Sequence, residues 1–514
     1  MMWPALLLQS GFVVTLPTEA RAQVPPVDRV FIIAMENAEY GDVVGNPSAP
    51  YLNSLLTQYG VAANYTAVAH PSLPNYVAVT SGDTFITVDC DSCAVDVPNV
   101  ADSIEASGRT WTAYMEGMSA NCSAVGEGLY APRHNPFIHY SDIVTDPARC
   151  ANVVPFSQFA TDLSAGTLSN YIWITPDLCN DMHDCGIASA DAWLQSVVPS
   201  IVQSPAFANA VLFIWWDEGT TTIGGGGQVP LIAVSSRTPS GLVSQIPANH
   251  YSLLRTIEDL WGLPPLGQSA TARSMTEFFN LLAEPGFEQY QPPALGAPGW
   301  IADPSRQTPA FSETHQPHSG ANNGACWTPG YLDCGLYQTI TAPATGTYMA
   351  TFYANADRPG GLVGVNVNGA LASSVGVDVR GFGNYGMPYV MNFTAAAGDT
   401  VIVWMYSPGT PGYVVIDDVS LVLVDSGQSS PASGGWTSQD IGNVGVGRRP
   451  DQRSRRRSAE HHAVRESRDH VARWPRRGLS AHASAVDAGL IVTSNDSTQL
   501  NTAEFEAVRL TPAP

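Results

Sequence analysis

Two apolar runs in this chain end in doublets of oxygen ligands: residues 30–35 lead into Glu36-Asn37, and residues 211–216 lead into Asp217-Glu218. Carboxylates and an amide grouped in this way suit a divalent cation, with Zn, Mn, Mg and Ca all compatible until the geometry is known. A third run, Tyr-Ile-Trp-Ile-Thr at 171–175, is followed by Pro-Asp-Leu-Cys-Asn-Asp-Met-His-Asp-Cys, which adds Asp181 and His183. One acid alone reads as a solvated loop charge; repetition at the ends of three runs argues for a site. Between the first run and the third lies His-Pro-Ser-Leu-Pro-Asn-Tyr-Val-Ala-Val-Thr-Ser-Gly, residues 70–82. Pro74 fits a first helical turn, and Leu73, Tyr76, Val77 and Val79 can face a core, so a helix is predicted to begin just after Ser72. Ser72 then stands where free backbone N–H groups and the positive end of a helix hold an anion. A hydroxyl there, beside a metal ion, is a phosphoryl acceptor.

Residues so far apart must be brought together by the fold. Runs that are apolar throughout, rather than alternating, are expected of parallel strands covered by helices on both faces. Open parallel sheets carry their chemistry at the carboxyl ends of the strands. The fold class expected here is α/β, a mostly parallel sheet flanked by helices. His250 opens an amphipathic helix with Leu253, Leu254, Ile257, Leu260 and Trp261 on one side and Gly262 as its stop. His250 itself reads as a helix-start residue, with lining of the site as the alternative.

The chain has 514 residues, enough for more than one domain, and 44% of them are hydrophobic, ample for sizeable cores. It carries a net charge of −22 and no Lys, which argues against a nucleic-acid-binding surface. The apolar run 3–16 followed by Ala20-Arg21-Ala22-Gln23 reads as a signal peptide, residues 1–22, although it lacks a basic n-region. No later stretch reaches the roughly 18 apolar residues of a membrane span. The expected location is secreted or extracellular, with the periplasm as the alternative. Eight cysteines fit an oxidising compartment. The local pairings Cys90–Cys93, Cys179–Cys185 and Cys326–Cys334 leave Cys122 with Cys150; metal or redox chemistry at Cys90-x-x-Cys93 is the alternative for that pair. The Cys179–Cys185 loop would clip Asp181 and His183 in place.

The catalytic portion is expected over 23–283, followed by a linker rich in Pro, Gly and Ala over 284–308. Short strands broken by Gly, Asn and Pro turns over 309–425 favour a β-sandwich. This segment, with its closing Val-Val-Ile-Asp-Asp-Val-Ser-Leu, resembles jelly-roll carbohydrate-binding modules, which implies a polysaccharide or cell-wall glycan partner; a spacing role is the alternative. After a second linker at 426–434, residues 435–514 read as a partial β-domain interrupted by an Arg-rich segment, 448–477, expected to be disordered.

Met-Glu-Asn at 35–37, the segment 70–82, Arg-His-Asn-Pro-Phe at 133–137, Cys-Asn-Asp-Met-His-Asp-Cys at 179–185 and Trp-Asp-Glu-Gly at 216–219 occur in an order that resembles the phosphoesterase family of acid phosphatases and phospholipase C enzymes, within the alkaline phosphatase superfamily. The resemblance covers about 28–280. It implies one divalent metal held by Glu36, Asn37, Asp217 and Glu218, with Ser72 as a nucleophile that also touches the metal. It implies that His134 and His183 contact the phosphoryl oxygens or the leaving group. Asn75 and Asp181 are assigned to substrate, Asn75 with ordering of the turn as its alternative. Gln228 stands where many relatives in the wider superfamily have a His, which puts a His-rich two-metal site in doubt and leaves one metal, or one tight and one loose, as the expectation. The Gly run 224–227 lacks the Lys and Ser or Thr of a P-loop and reads as a flexible rim. The function expected is a secreted, metal-dependent phosphomonoesterase working on a small phosphate ester through a phosphoserine. The alternatives are a phospholipase C or other phosphodiesterase, and a catalytically inactive carbohydrate- or surface-binding protein.

Overall fold

The computed structural model describes residues 24–425, apart from 298, 329, 331, 382 and 409–411. The expected signal peptide 1–22, the linker 426–434 and the partial β-domain 435–514 with its Arg-rich segment 448–477 lie outside the described residues.

The three apolar runs become adjacent strands at the centre of one sheet. Its order is Val153–Pro155, Trp111–Met115, Tyr171–Thr175, Arg29–Met35, Ala210–Trp216, Leu231–Val234, Gly60–Ala62, Leu242–Ser244. Leu231–Val234 runs antiparallel to both its neighbours and the others share one direction, so the sheet is mostly parallel as expected. Every residue of Ala210–Trp216 is buried, because helices cover both faces. Trp173, Trp215, Trp216, Phe31 and Tyr76 fill that core; each large side chain so buried contributes roughly 1.5–3 kcal/mol. The register sets Met35 beside Trp216 and Ile33 beside Ile174, so Glu36 and Asp217 leave neighbouring strands at the same level. The Asp217 N–H donates to the Met35 carbonyl at 3.0 Å and the Glu36 N–H to the Asp181 carbonyl at 2.8 Å.

Two helices matter to the rim. Ser72–Ser81 is buried along its whole length and begins at Ser72 itself. It stops at Gly82, whose φ of 82° is open to glycine at no steric cost. His250–Trp261 is capped by Asn249, which accepts from the Tyr251 and Ser252 N–H groups at 3.1 and 3.3 Å.

Residues 301–425 form two packed sheets. One orders Ile301–Ala302, Cys334–Thr341, Thr400–Ser407, Leu362–Val367 and Ala370–Gly376; the other orders Phe311–Glu313, Asn323–Thr328, Gly412–Asp425, Gly346–Ala356 and Tyr389–Ala395. Alternating burial along Thr400–Ser407 turns one side chain in two toward the shared core. Segment 284–308, expected as a linker, is packed rather than loose. Phe287 and Trp300 are buried and stacked at 5.3 Å, and the Trp300 indole N–H donates to the Glu284 carbonyl at 3.0 Å. Composition hid this because two aromatic anchors outweigh many small residues in burial energy. Asn280 ties the sheet portion to the sandwich, donating to the Val419 carbonyl at 2.9 Å and accepting from the Leu421 N–H at 3.0 Å. All four disulfides pair as expected.

Candidate active site

Ser72 lies at the centre of the strand-end rim. Its Oγ is 2.9 Å from Glu218 Oε1 and 3.2 Å from Glu36 Oε2, and the residue is buried. The hydroxyl has one proton for two carboxylate acceptors. Glu36, fully buried, also accepts from the Tyr76 hydroxyl at 2.7 Å and from Asn37 Nδ2 at 3.2 Å. Asn37 has a φ of 45°, a left-handed conformation that Asn tolerates better than most residues, and its N–H donates to Asp217 Oδ1 at 3.3 Å. The ligand doublets at 36–37 and 217–218 therefore do meet, with Ser72 between them.

Such a set of acids is poorly matched to an empty interior. Burial first, then the charges of Asp217 and Asp181, push the Glu36 carboxyl well above its ordinary range. Burial and then Glu218 do the same to Asp217, and burial raises Glu218. Among the described residues Asp217 Oδ2 is buried without a hydrogen-bond partner, and Asp181 Oδ2 makes no hydrogen bond, having only His134 Nδ1 at 3.4 Å. Orphaned carboxylate oxygens of this kind fit a divalent cation, which would offset the repulsion. One further grouping is compact: Glu36, His134 and His183 each offer a ligand atom within 4.8 Å of the others.

His134 is buried, with Nε2 3.2 Å from Glu36 Oε1 and Nδ1 3.4 Å from Asp181 Oδ2. It stacks on Tyr76 with ring centroids 5.5 Å apart and an interplanar angle of 6°. Burial, followed by the Arg133 charge, pulls its pKa well below the usual value, which favours the neutral ring. His183 is partly exposed; its Nδ1 is 2.8 Å from Asp184 Oδ1 and its backbone N–H donates to Asp181 Oδ1 at 2.8 Å. Burial pushes the Asp181 carboxyl up to about 7. The Cys179–Cys185 disulfide closes the loop that carries both residues.

Four expectations need correction or completion. Asn75, assigned to substrate, spends its amide on the preceding loop: Oδ1 accepts from the Val68 and Ala69 N–H groups at 3.1 and 3.0 Å, and Nδ2 donates to the Ala69 and Pro71 carbonyls. A side chain with its hydrogen-bonding capacity used in this way orders the turn before Ser72. The Gly run 224–227 is not a loose rim. A Cβ at Gly224 would overlap Thr66, at Gly225 the Val68 carbonyl and at Gly226 the Ala69 carbonyl, so the glycines allow close backbone approach to 66–69. Gln228 donates to the Ala63 carbonyl at 2.6 Å and does not join the acids. His250 takes its alternative only indirectly: Nε2 lies 2.6 Å from the Asp217 carbonyl, and Trp215 Nε1 donates to Nδ1 at 2.9 Å. Burial lowers its pKa to about 3, which keeps the ring neutral.

Three contributors were not singled out from sequence. His70 bonds Glu218 through Nδ1 and the Thr221 carbonyl through Nε2 at 2.8 Å. Glu39 holds the 219–228 loop, accepting from the Thr220, Thr221 and Gln228 N–H groups at 2.9, 2.8 and 3.0 Å. Tyr76 reads as an apolar helix residue until its hydroxyl is seen on Glu36. The only advance signal was that His70 and Tyr76 flank Ser72 by two and four residues.

The sequence profile of the Phosphoesterase family matches residues 42–264, a stretch that includes Ser72, His134, His183, Asp217 and Glu218. The chain is 30% identical over 265 residues to a phosphatidylinositol-3-phosphatase of Mycobacterium tuberculosis, covering 51% of this chain and 86% of that protein. It is 31% identical over 255 residues to a probable acid phosphatase of Kluyveromyces lactis (47% of this chain, 59% of that protein). It is 27% identical over 255 residues to an acid phosphatase of Aspergillus fumigatus (47% and 56%), so it spans little more than half of either fungal relative. On this agreement of sequence with a strand-end cluster of acids around a serine, the chain belongs to the Phosphoesterase family and is a hydrolase acting on phosphoric ester bonds.

Proposed function

We propose that the protein is a secreted, metal-dependent phosphomonoesterase in which Ser72 is the nucleophile. The observation that carries this reading is the Ser72 hydroxyl, 2.9 and 3.2 Å from two buried carboxylates at the first residue of a buried helix. Glu36, Asn37, Asp217 and Glu218 would hold the cation. When bound, a divalent ion supplies charge that polarises a phosphoryl oxygen and favours the ionised serine. Glu218 Oε1, at 2.9 Å, takes the Ser72 proton as Oγ attacks phosphorus and returns it when the hydroxyl is restored. Ser72 Oγ forms the new bond to phosphorus as the bond to the ester oxygen breaks, and His183 on the rim passes a proton to that oxygen. His134, neutral and buried, donates one N–H to a phosphoryl oxygen. Water activated by His183 then cleaves the phosphoserine and restores the hydroxyl. The four disulfides support export to an oxidising compartment.

The test is hydrolysis of p-nitrophenyl phosphate, bis-p-nitrophenyl phosphate and phosphatidylcholine before and after chelation, with single divalent metals restored. Monoester turnover that disappears with chelator and in Ser72→Ala supports the reading. Preference for a diester moves the assignment to the phospholipase C alternative, and persistent turnover in Ser72→Ala removes the proposed nucleophile.

For the sandwich we propose glycan binding. Tyr337, Trp404 and Tyr406 share the solvent side of one sheet, with Tyr337 opposite Trp404 in register. Trp404 lies across Gly364, where a Cβ would overlap its ring, and donates to Asn366 Oδ1 at 2.9 Å. Flat aromatic faces of this kind suit sugar rings. Affinity electrophoresis in soluble plant and microbial polysaccharides, repeated with Trp404→Ala, tests it; no retardation of the wild type in any of them would refute it.

A further inference from the structure

Glu218, like Glu36, faces Ser72 with one oxygen and a histidine with the other, and here the histidine is His70. Its Oε1 faces Ser72 Oγ at 2.9 Å and its Oε2 faces His70 Nδ1. The far side of the same imidazole is also occupied, Nε2 lying 2.8 Å from the Thr221 carbonyl. Thr221 is held in turn, because Glu39 Oε1 accepts the Thr220 and Thr221 N–H groups at 2.9 and 2.8 Å. Glu39 Oε2 accepts from Gln228, and the glycines between pack on 66–69, the backbone just before His70. The chain of contacts therefore closes on itself: segment 66–72 carries His70 and Ser72, the loop 219–228 carries Thr221, and Glu218 lies where the two meet.

We infer that His70 is a positioning residue for the reaction, a strut whose Nδ1 end fixes the Glu218 carboxylate facing Ser72, with the Nε2 contact to the Gly-rich loop only orienting the ring. The inference rests on the reading of Ser72 and Glu218 given above. Without the strut, Glu218 Oε2 loses its partner and the carboxylate is free to rotate. Ser72 still has Glu36 Oε2 at 3.2 Å, but loses the fixed acceptor at 2.9 Å. His70 touches neither the ester nor the reacting oxygen in this scheme. Its loss should lower kcat and loosen the cation without altering how the ester is recognised. Partners that orient ligating groups are typically worth about 10- to 100-fold in metal affinity or activity.

Amide side chains separate the two contacts. Asn at this position sets an N–H near the place of Nδ1, whereas Gln sets one near Nε2. His70→Ala, His70→Asn and His70→Gln are to be compared with the full-length wild type in two measurements. One is calorimetric titration of metal-free protein with Zn, Mn, Mg and Ca separately; the other is kcat and KM on p-nitrophenyl phosphate at saturating metal. Expected are a loss of about 10- to 100-fold in kcat and in metal affinity for the Ala and Gln variants, KM within about threefold, and retention in the Asn variant. Wild-type metal affinity and kcat in His70→Ala, or retention by Gln and not by Asn, would overturn the strut. If His70→Ala fails to fold by thermal melt, the Asn and Gln pair decides by itself: equal behaviour of the two refutes the inference. Wild-type protein that binds metal but turns over no ester defeats the phosphatase reading, while the calorimetric comparison still judges His70.

Discussion

Replacing Tyr76 by Phe removes one hydroxyl from the centre of the site and nothing else. The ring would keep its stack on His134 and its edge contact with Trp215, where the centroids are 5.3 Å apart. What disappears is the 2.7 Å hydrogen bond to Glu36 Oε1. A hydrogen bond to an ionised carboxylate contributes about 1.5–3 kcal/mol, which is about 10- to 150-fold in an equilibrium constant. That contribution acts on the charged form of Glu36, since the hydroxyl lowers a pKa that burial and then Asp217 and Asp181 raise. A cation needs the charged form, so the loss should appear as weaker metal binding. Calorimetric titration of metal-free Tyr76→Phe near neutral pH should show a dissociation constant raised about 10- to 100-fold, with kcat/KM largely recovered at saturating metal. Unchanged metal affinity with wild-type turnover would refute the reasoning, since Glu36 would then not be a ligand held by Tyr76.

Other perturbations probe the supports of the site. Cys179→Ser with Cys185→Ser opens the loop carrying Asp181 and His183 and should cost about 2 kcal/mol of stability for so short a loop, with a larger fall in turnover, read by denaturant titration and ester hydrolysis; unchanged turnover would deny the clip. Gly225→Ala meets both a φ of 115° and the Val68 carbonyl, and should cost more than about 2 kcal/mol, whereas Gly186→Ala, with nothing within 4 Å of its Cβ, should be nearly neutral by thermal melt. Glu258 accepts from Ser269 Oγ at 2.6 Å and the Leu266 N–H at 2.8 Å, and burial pushes its pKa up to about 8. A carboxyl raised in the fold stabilises fully below its ordinary pKa and loses that contribution as pH rises through about 8. Glu258→Gln should therefore melt above the wild type in alkaline buffer and show no such advantage in mild acid; parallel melting curves across that window would reject the assignment.

Much of the scaffold was legible because its signals are local. Continuous apolar runs at 171–175 and 211–216 report strands covered on both sides whatever lies next to them. Pro74 and the apolar positions of 73–79 report a helix at Ser72, and the cysteine pairs at separations of 3, 6 and 8 close short loops. The segment 284–308 misled because composition averages over residues, while Phe287 and Trp300 are decided by the surface they meet.

Periodicity and side-chain chemistry belong to a segment and need no partner, so the candidate ligands and the strand runs were readable from their own stretches of chain. Which of them meet was settled by the fold. His70 finds Glu218 at 148 residues' distance, Tyr76 turns its hydroxyl to Glu36, and Asn75 is taken by its own loop. Those outcomes depend on strand order and register, which align Met35 with Trp216 and so bring Glu36 beside Asp217. Non-local pairing is set by the summed burial of the whole sheet, and no single segment carries that information.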